Sequence, residues 1–226
     1  MQRIFLSEAQ KKAGWHERSY IPHYDAKGIT QFVTFRLNDS LPATCLRNWE
    51  SELVAIDWRD SNNEQAANNQ RDSNNERRAL IEEYLDKGAG EKSLEDPRIA
   101  NIVATALLQF NQDRYRLHAW VVMPNHVHVL FSPNGSTKLA EIIRSWKGYS
   151  GRMANRILGR TGAFWQRDYH DRFIRDAQHF FTSIKYIEDN PVKAGLCKKA
   201  EDWEFSSAGY RCLGRPNVAY SAESGR

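Results

Sequence analysis

His126 and His128 stand two residues apart in Trp120-Val-Val-Met-Pro-Asn-His-Val-His-Val-Leu-Phe131, and Tyr186 and Asn190 stand four apart further along the chain. In an extended strand side chains alternate between faces, so both imidazoles point the same way, about 6–7 Å apart along the strand. Val127 and Val129 then point to the other face, into a core. Two imidazoles on one strand face can hold one divalent metal ion. Tyr186 offers a hydroxyl nucleophile. Asn190, one helical turn later, shares its face and offers an oxygen as third ligand. A tyrosine hydroxyl has a pKa of about 10 and is a poor nucleophile at neutral pH. A metal ion that polarises a scissile phosphate compensates for this. The set therefore suggests metal-assisted phosphodiester cleavage, with Mg²⁺ or Mn²⁺, through a covalent tyrosine intermediate. The products are a 5′-phosphotyrosine and a free 3′-hydroxyl, which keeps the bond energy for strand transfer.

Each residue also has a plainer reading. The histidines could be hydrogen-bonded on a solvated strand face. Tyr186 could be a packing tyrosine with a wet hydroxyl. Asn190, before Pro191, could be a helix cap. Tyr169 is a rival nucleophile, and His170 and His179 are rival ligands.

The elements that must position these residues follow from periodicity. Gln31–Leu37 alternates Phe32, Thr34 and Arg36 against Val33, Phe35 and Leu37, which predicts a half-buried strand. A helix is expected from about Ala43 to Trp58, a second over Leu80–Asp86, and a third from Pro97 to about Gln112. Arg116–Met123 and His126–Phe131 read as antiparallel strands joined by Pro124-Asn125. A long basic helix is expected over Thr137–Leu158, ended by Gly159. A fourth strand is expected near Asp168–Ile174, then a helix capped by Asp176 and stopped by Pro191. The order β-α-β-β-α-β, followed by a helix, predicts an α+β ferredoxin-like sandwich with a mostly antiparallel sheet, helices on one face and the histidines central.

The chain has 226 residues, 41% of them hydrophobic and 12% aromatic, which suffices for one domain with elaborations. The expected division is an extension over 1–28, a catalytic domain over 29–210 and a tail over 211–226. Arg59-Asp-Ser-Asn-Asn-Glu64 recurs as Arg71-Asp-Ser-Asn-Asn-Glu76. With a period of twelve and only two copies, it reads as a duplication in a polar insertion at about 59–78.

Net charge is +4, a mild excess. Its placement says more. Between 138 and 172, eight basic residues face three acids, so Lys147, Arg152 and Arg156 are candidates for a phosphate track. Trp165 could stack an unpaired base, while Arg167 and Arg172 contact phosphate or base edges. Their alternative role is an aromatic-rich strand with solvated charges. Three cysteines with no CxxC spacing, no signal-like leader and no apolar run of membrane-spanning length predict a cytoplasmic protein with reduced thiols.

Trp120–Leu130, Phe164-Trp-Gln-Arg-Asp-Tyr169 and Tyr186-Ile-Glu-Asp-Asn-Pro-Val-Lys-Ala-Gly-Leu196 together resemble the REP-associated tyrosine transposases, within the single-tyrosine HUH (IS200-like) superfamily. Pro22–Asp25 and Thr34–Leu37 resemble the opening of one branch of that group. The resemblance spans about residues 20–210. It implies an HUH fold, a divalent metal, and cleavage of single-stranded DNA beside a folded hairpin. It matches His126 and His128 to the metal ligands, Tyr186 to the nucleophile and Asn190 to the helix-borne ligand, and it implies a monomer or homodimer. The 59–78 insertion departs from the family pattern. Other expectations compatible with these residues are a non-catalytic hairpin-binding protein, a relaxase or replication initiator of the HUH type, and a metal hydrolase using water.

Overall fold

The computed structural model describes residues 28–40, 84–85, 88, 90–135 and 137–214, with the backbone of two strands, β1 (Trp15–Arg18) and β2 (Ile21–Tyr24), which pair antiparallel. The expected helix at 43–58, the duplicated segment, most of the expected helix at 80–86 and the last twelve residues lie outside the described set.

The central sheet has four strands, β3 (Gln31–Arg36), β4 (Tyr115–Val122), β5 (His126–Pro133) and β6 (His170–Phe173). Their order across the sheet is β4-β5-β3-β6, and every pairing is antiparallel. With α1 (Pro97–Leu108) between β3 and β4, and α2 (Leu139–Leu158) between β5 and β6, this is the ferredoxin-like α+β arrangement expected from the element order.

Local chemistry sets the ends of these elements. Asp96 caps α1 by accepting from the Arg98 N–H, and Pro97 occupies the first helical position. The helix stops before Gln112, short of its expected end, because Gln112 adopts φ 73° and turns the chain back into β4. Gly159, at φ 62°, ends α2 as expected. Helix α3 (Ala177–Lys193) is capped by Asp176, whose carboxylate accepts from the His179 N–H.

Pro191 does not stop α3. The helix runs on to Lys193, with Ala194 as C-cap. Pro191 sits within the last turn, so its missing N–H removes one bond near the end. Burial of Ile187, Asn190 and Pro191 against the sheet holds that turn in place.

Two cores lie on opposite faces of the sheet. Helices α1 and α2 pack on one face, over Val33, Phe35, Leu37, Val127, Val129 and Phe131, with Trp146 of α2 at the centre. The trailing helix α3 covers the other face, setting its Ile187 against Phe32, Val121, Leu130 and Ile174. This explains why β3 is buried along its whole length rather than half-buried. In the first core the Tyr115 hydroxyl donates to Leu107 O at 2.8 Å and accepts from Trp146 Nε1–H at 2.8 Å. Tyr115→Phe leaves a buried indole N–H without its partner, so the unfolding free energy should fall by about 1–3 kcal/mol in urea titration. No change would mean the indole finds another acceptor. Among the described residues, no helix is long and apolar enough to cross a membrane.

Candidate active site

Alternation along β5 sends Val127, Val129 and Phe131 into the first core and His126, His128 and Leu130 to the α3 face. Cross-strand pairing sets Arg36 opposite His126, Thr34 opposite His128 and Phe32 opposite Leu130. Both imidazoles are fully buried under α3, so they are not solvated strand histidines.

Their ring nitrogens are oriented by neighbours. His126 Nδ1 lies 2.7 Å from Asn125 Oδ1, and His128 Nδ1 lies 2.8 Å from Thr34 Oγ1. An amide oxygen only accepts, so His126 Nδ1 carries the proton and its Nε2 presents a lone pair. The two Nε2 atoms are 3.0 Å apart. When the Thr34 hydroxyl donates to His128, that ring's Nε2–H can donate to His126. When the hydroxyl instead accepts, two lone pairs face each other, an arrangement that only a cation relieves. Burial pushes the His126 pKa down to about 3 and that of His128 well below its ordinary value, with His126 and Arg172 adding to the second shift. Both rings are therefore neutral, the state a metal ligand requires.

Asn190 lies on α3, the helix that covers this face. It is fully buried, and neither its Oδ1 nor its Nδ2 has a hydrogen-bond partner. It is not a helix cap, since Ala194 fills that place. A buried amide with neither end satisfied is costly. Two neutral imidazoles, with a buried and unsatisfied amide on the helix that covers them, are a donor set suited to a divalent cation, with ligand positions left over. Among the described residues no group of three or more His, Cys, Asp and Glu offers an alternative.

The orphaned amide gives a test independent of activity. Asn190→Leu, close to isosteric, should raise the unfolding free energy of the metal-free protein by about 1–3 kcal/mol. It should also abolish the thermal shift that Mn²⁺ gives the native protein. A destabilised variant that kept its Mn²⁺ shift would show Asn190 to be structural.

Tyr186 lies one turn before Asn190 on α3 and is half-buried. Its ring centroid is 5.5 Å from that of His128 and 5.9 Å from that of Phe32, and Lys193 Nζ lies 4.8 Å from it. The fold thus brings His126, His128, Tyr186 and Asn190 to one face. Two of the three rivals separate from them. Tyr169 packs against the first core, on the opposite face of the sheet. His179 lies in the first turn of α3, where its Nδ1 accepts from the Arg175 N–H. His170 does reach the site face, in register with Thr34 on the edge strand.

The proposed DNA contacts divide. Arg152, Arg156, Arg167 and Arg172 are exposed. Arg172 lies on the site face, its guanidinium 5.4 Å above the Phe32 ring, whereas Arg152 and Arg156 ride on α2 across the sheet. Trp165 is not a stacking platform. Its indole is buried edge-on to Phe35 at 4.8 Å and donates to Ser150 Oγ. Gly151 makes room for it, since a Cβ there would meet the indole at 3.3 Å. Lys147 does not belong to a phosphate track. Its ammonium donates to the carbonyls of Gln166, Arg167 and Asp168, and burial lowers its pKa to about 8. A three-residue turn of bare carbonyls takes up all its donors.

Sequence reading passed over Thr34, Asn125 and Arg36. Asn125 adjoins the histidine pair, and Thr34 and Arg36 sit on the predicted site face of β3, so a register would have found them.

Residues 92–190 match the model of a family described as "Transposase IS200 like". The chain is 30% identical over 104 residues to a REP-associated tyrosine transposase of Escherichia coli K12, covering 45% of this chain and 60% of that protein. It is 30% identical over 96 residues to a putative REP-associated tyrosine transposase of Haemophilus influenzae, covering 38% and 54%. The aligned part thus spans somewhat over half the length of these curated relatives. A solved structure of a REP-associated tyrosine transposase bound to a REP hairpin superposes with a TM-score of 0.53 at 20% identity, over 92% of this chain and 98% of that one. At that identity the likeness establishes the fold.

Proposed function

We propose that this protein is a metal-dependent single-strand DNA nickase and strand transferase of the IS200-like kind, a reading supported by the match of residues 92–190 to that family's model. It cleaves beside a DNA hairpin through a 5′-phosphotyrosine on Tyr186. The observation that carries this reading is the convergence of a nucleophile and an uncharged donor set on one face: Tyr186 over His128, Nε2 against Nε2, and Asn190 unsatisfied one turn away. The hairpin comes from the structural relative, which is described with one bound.

His126, His128 and Asn190 would hold Mg²⁺ or Mn²⁺. When bound, the ion polarises the scissile phosphate and offsets charge that builds on its oxygens. The remaining chemistry belongs to the chain. Asn125 and Thr34 fix the imidazoles by their Nδ1 atoms, so the Nε2 lone pairs stay aimed inward. The aromatic rings of Phe32 and His128 hold the Tyr186 ring, restricting the hydroxyl to one approach. The tyrosyl oxygen attacks phosphorus, the P–O3′ bond breaks, and the phenolic proton is replaced on the departing 3′-oxygen through solvent. Reversal by another strand's 3′-hydroxyl completes the transfer. The three donors are shielded while Tyr186 is half-exposed, so substrate approaches from the tyrosine side, where Arg172 can meet its phosphates.

The test is a 5′-labelled single-stranded hairpin oligonucleotide from repeats flanking the gene, incubated with Mn²⁺ or Mg²⁺ and resolved on a denaturing gel. Metal-dependent cleavage by the native protein, absent in His126→Ala, supports the reading. Tight hairpin binding with no cleavage in either metal favours a non-catalytic binding protein instead. Cleavage of relaxase or replication-origin sequences lacking a hairpin moves it to another branch of the same chemistry.

A further inference from the structure

The structure points to Arg36 as a catalytic residue whose guanidinium contacts the scissile phosphodiester on the leaving-oxygen side. This rests on the proposed function and deepens it. Arg36 is only 8% exposed, yet no carboxylate forms a salt bridge with it among the described residues. Burial lowers its pKa to about 10, and Asp39 is the acid that counteracts this shift. It is therefore a buried cation at neutral pH.

Its hydrogen bonds are partial. Nη1 donates to Leu37 O at 3.3 Å and to Ser40 Oγ at 3.1 Å, while Ser40 Oγ donates to Leu37 O at 2.8 Å. These contacts pin one arm of the fork and, among the described residues, leave Nε and Nη2 without a protein partner. A guanidinium carries five N–H donors in a rigid plane suited to two phosphate oxygens. Most of this side chain lies out of water with no salt-bridging carboxylate among the described residues, so its open donors are placed to take an anionic ligand in exchange for solvent.

Position assigns the role. Along β3 the site face reads Phe32, Thr34, Arg36, opposite Leu130, His128 and His126. Tyr186 packs on Phe32 and His128, and Arg36 stands one row beyond, opposite His126, with its head turned towards the 37–40 turn. A displacement at phosphorus sets nucleophile and leaving group on opposite sides. With the tyrosyl oxygen on the Phe32 side, the 3′-oxygen departs towards Arg36. As the bond from tyrosyl oxygen to phosphorus forms and the P–O3′ bond breaks, negative charge grows on the 3′-oxygen. A guanidinium hydrogen bond stabilises it until solvent supplies the proton.

The experiment compares two hairpin substrates in Mn²⁺, one with the natural 3′-oxygen at the scissile bond and one with 3′-sulfur, whose thiolate leaves without help. Single-turnover rates are measured for the native protein, Arg36→Lys, Arg36→Gln and Tyr186→Phe, with hairpin affinity measured separately. On the oxygen substrate, Arg36→Gln should slow cleavage by about 100-fold with affinity unchanged. On the sulfur substrate the loss should shrink to within about fivefold, and Arg36→Lys should fall between. Tyr186→Phe should fail on both. Equal losses on the two substrates, or a loss confined to affinity, overturn the assignment while leaving the tyrosine chemistry standing. A misfolded Arg36→Gln loses both substrates equally along with binding, in which case the sulfur-to-oxygen rate ratio of Arg36→Lys decides. If the native protein forms no adduct, this inference falls with the function it rests on.

Discussion

Tyr186→Phe is expected to lower strand cleavage by at least about 10⁴-fold and to leave hairpin binding and thermal stability nearly unchanged. The half-buried ring keeps its packing on Phe32 and His128 in the variant, because the hydroxyl contributes nothing to either ring contact. Removing one oxygen therefore deletes the nucleophile without opening a cavity. The ligand set beneath it also survives, so Mn²⁺ should still raise the melting temperature. A water-based hydrolase would behave differently, retaining most of its cleavage without the phenol. Residual activity within about tenfold of native would show that Tyr186 is a packing residue and that water or another group attacks.

His128→Ala is expected to be as damaging and to separate from Tyr186→Phe by its metal response. Cleavage should fall by about 10³-fold or more, and the Mn²⁺-induced thermal shift should disappear. His128 is the hub of the face, with Thr34 at Nδ1, His126 at Nε2 and the rings of Phe32 and Tyr186 against its sides. Deleting it takes away a proposed ligand and the ring against which Tyr186 packs, and leaves a buried void, so stability should also drop, by about 2–4 kcal/mol. His128→Gln fills more of the space and serves as the control. If its stability recovers and cleavage does not, the loss belongs to ligation. Recovery of both would reduce His128 to a scaffold.

The grouping of these candidate residues was legible because each pair obeys a short-range rule. A period of two aligns His126 with His128, and a period near four aligns Tyr186 with Asn190, so each pair shares a face before any tertiary structure is known. The α+β class and the antiparallel sheet followed from the alternation of helices and strands. The failures have longer-range causes. Pro191 was read as a stop because its missing N–H is a local fact, whereas the burial that sustains the last turn of α3 depends on the opposing sheet. Trp165 resembled a stacking platform among charges, but a glycine fourteen residues earlier on α2 opens the space that buries it. Lys147 counted as one more cation in a basic helix, and nothing local shows that a later turn offers it three carbonyls. Arg36 alternates onto the same face as Thr34, but its place opposite His126 emerges only when the strands are set in register.

The most direct test of the central claim is the mass of the covalent product. The protein is incubated with Mn²⁺ and a hairpin oligonucleotide, digested, and the DNA-bearing peptide sequenced by mass spectrometry. The account predicts a 5′-phosphodeoxynucleotide linked to Tyr186, in the peptide that runs towards Asn190. An adduct on Tyr169, or complete cleavage with no adduct at any tyrosine, would contradict it.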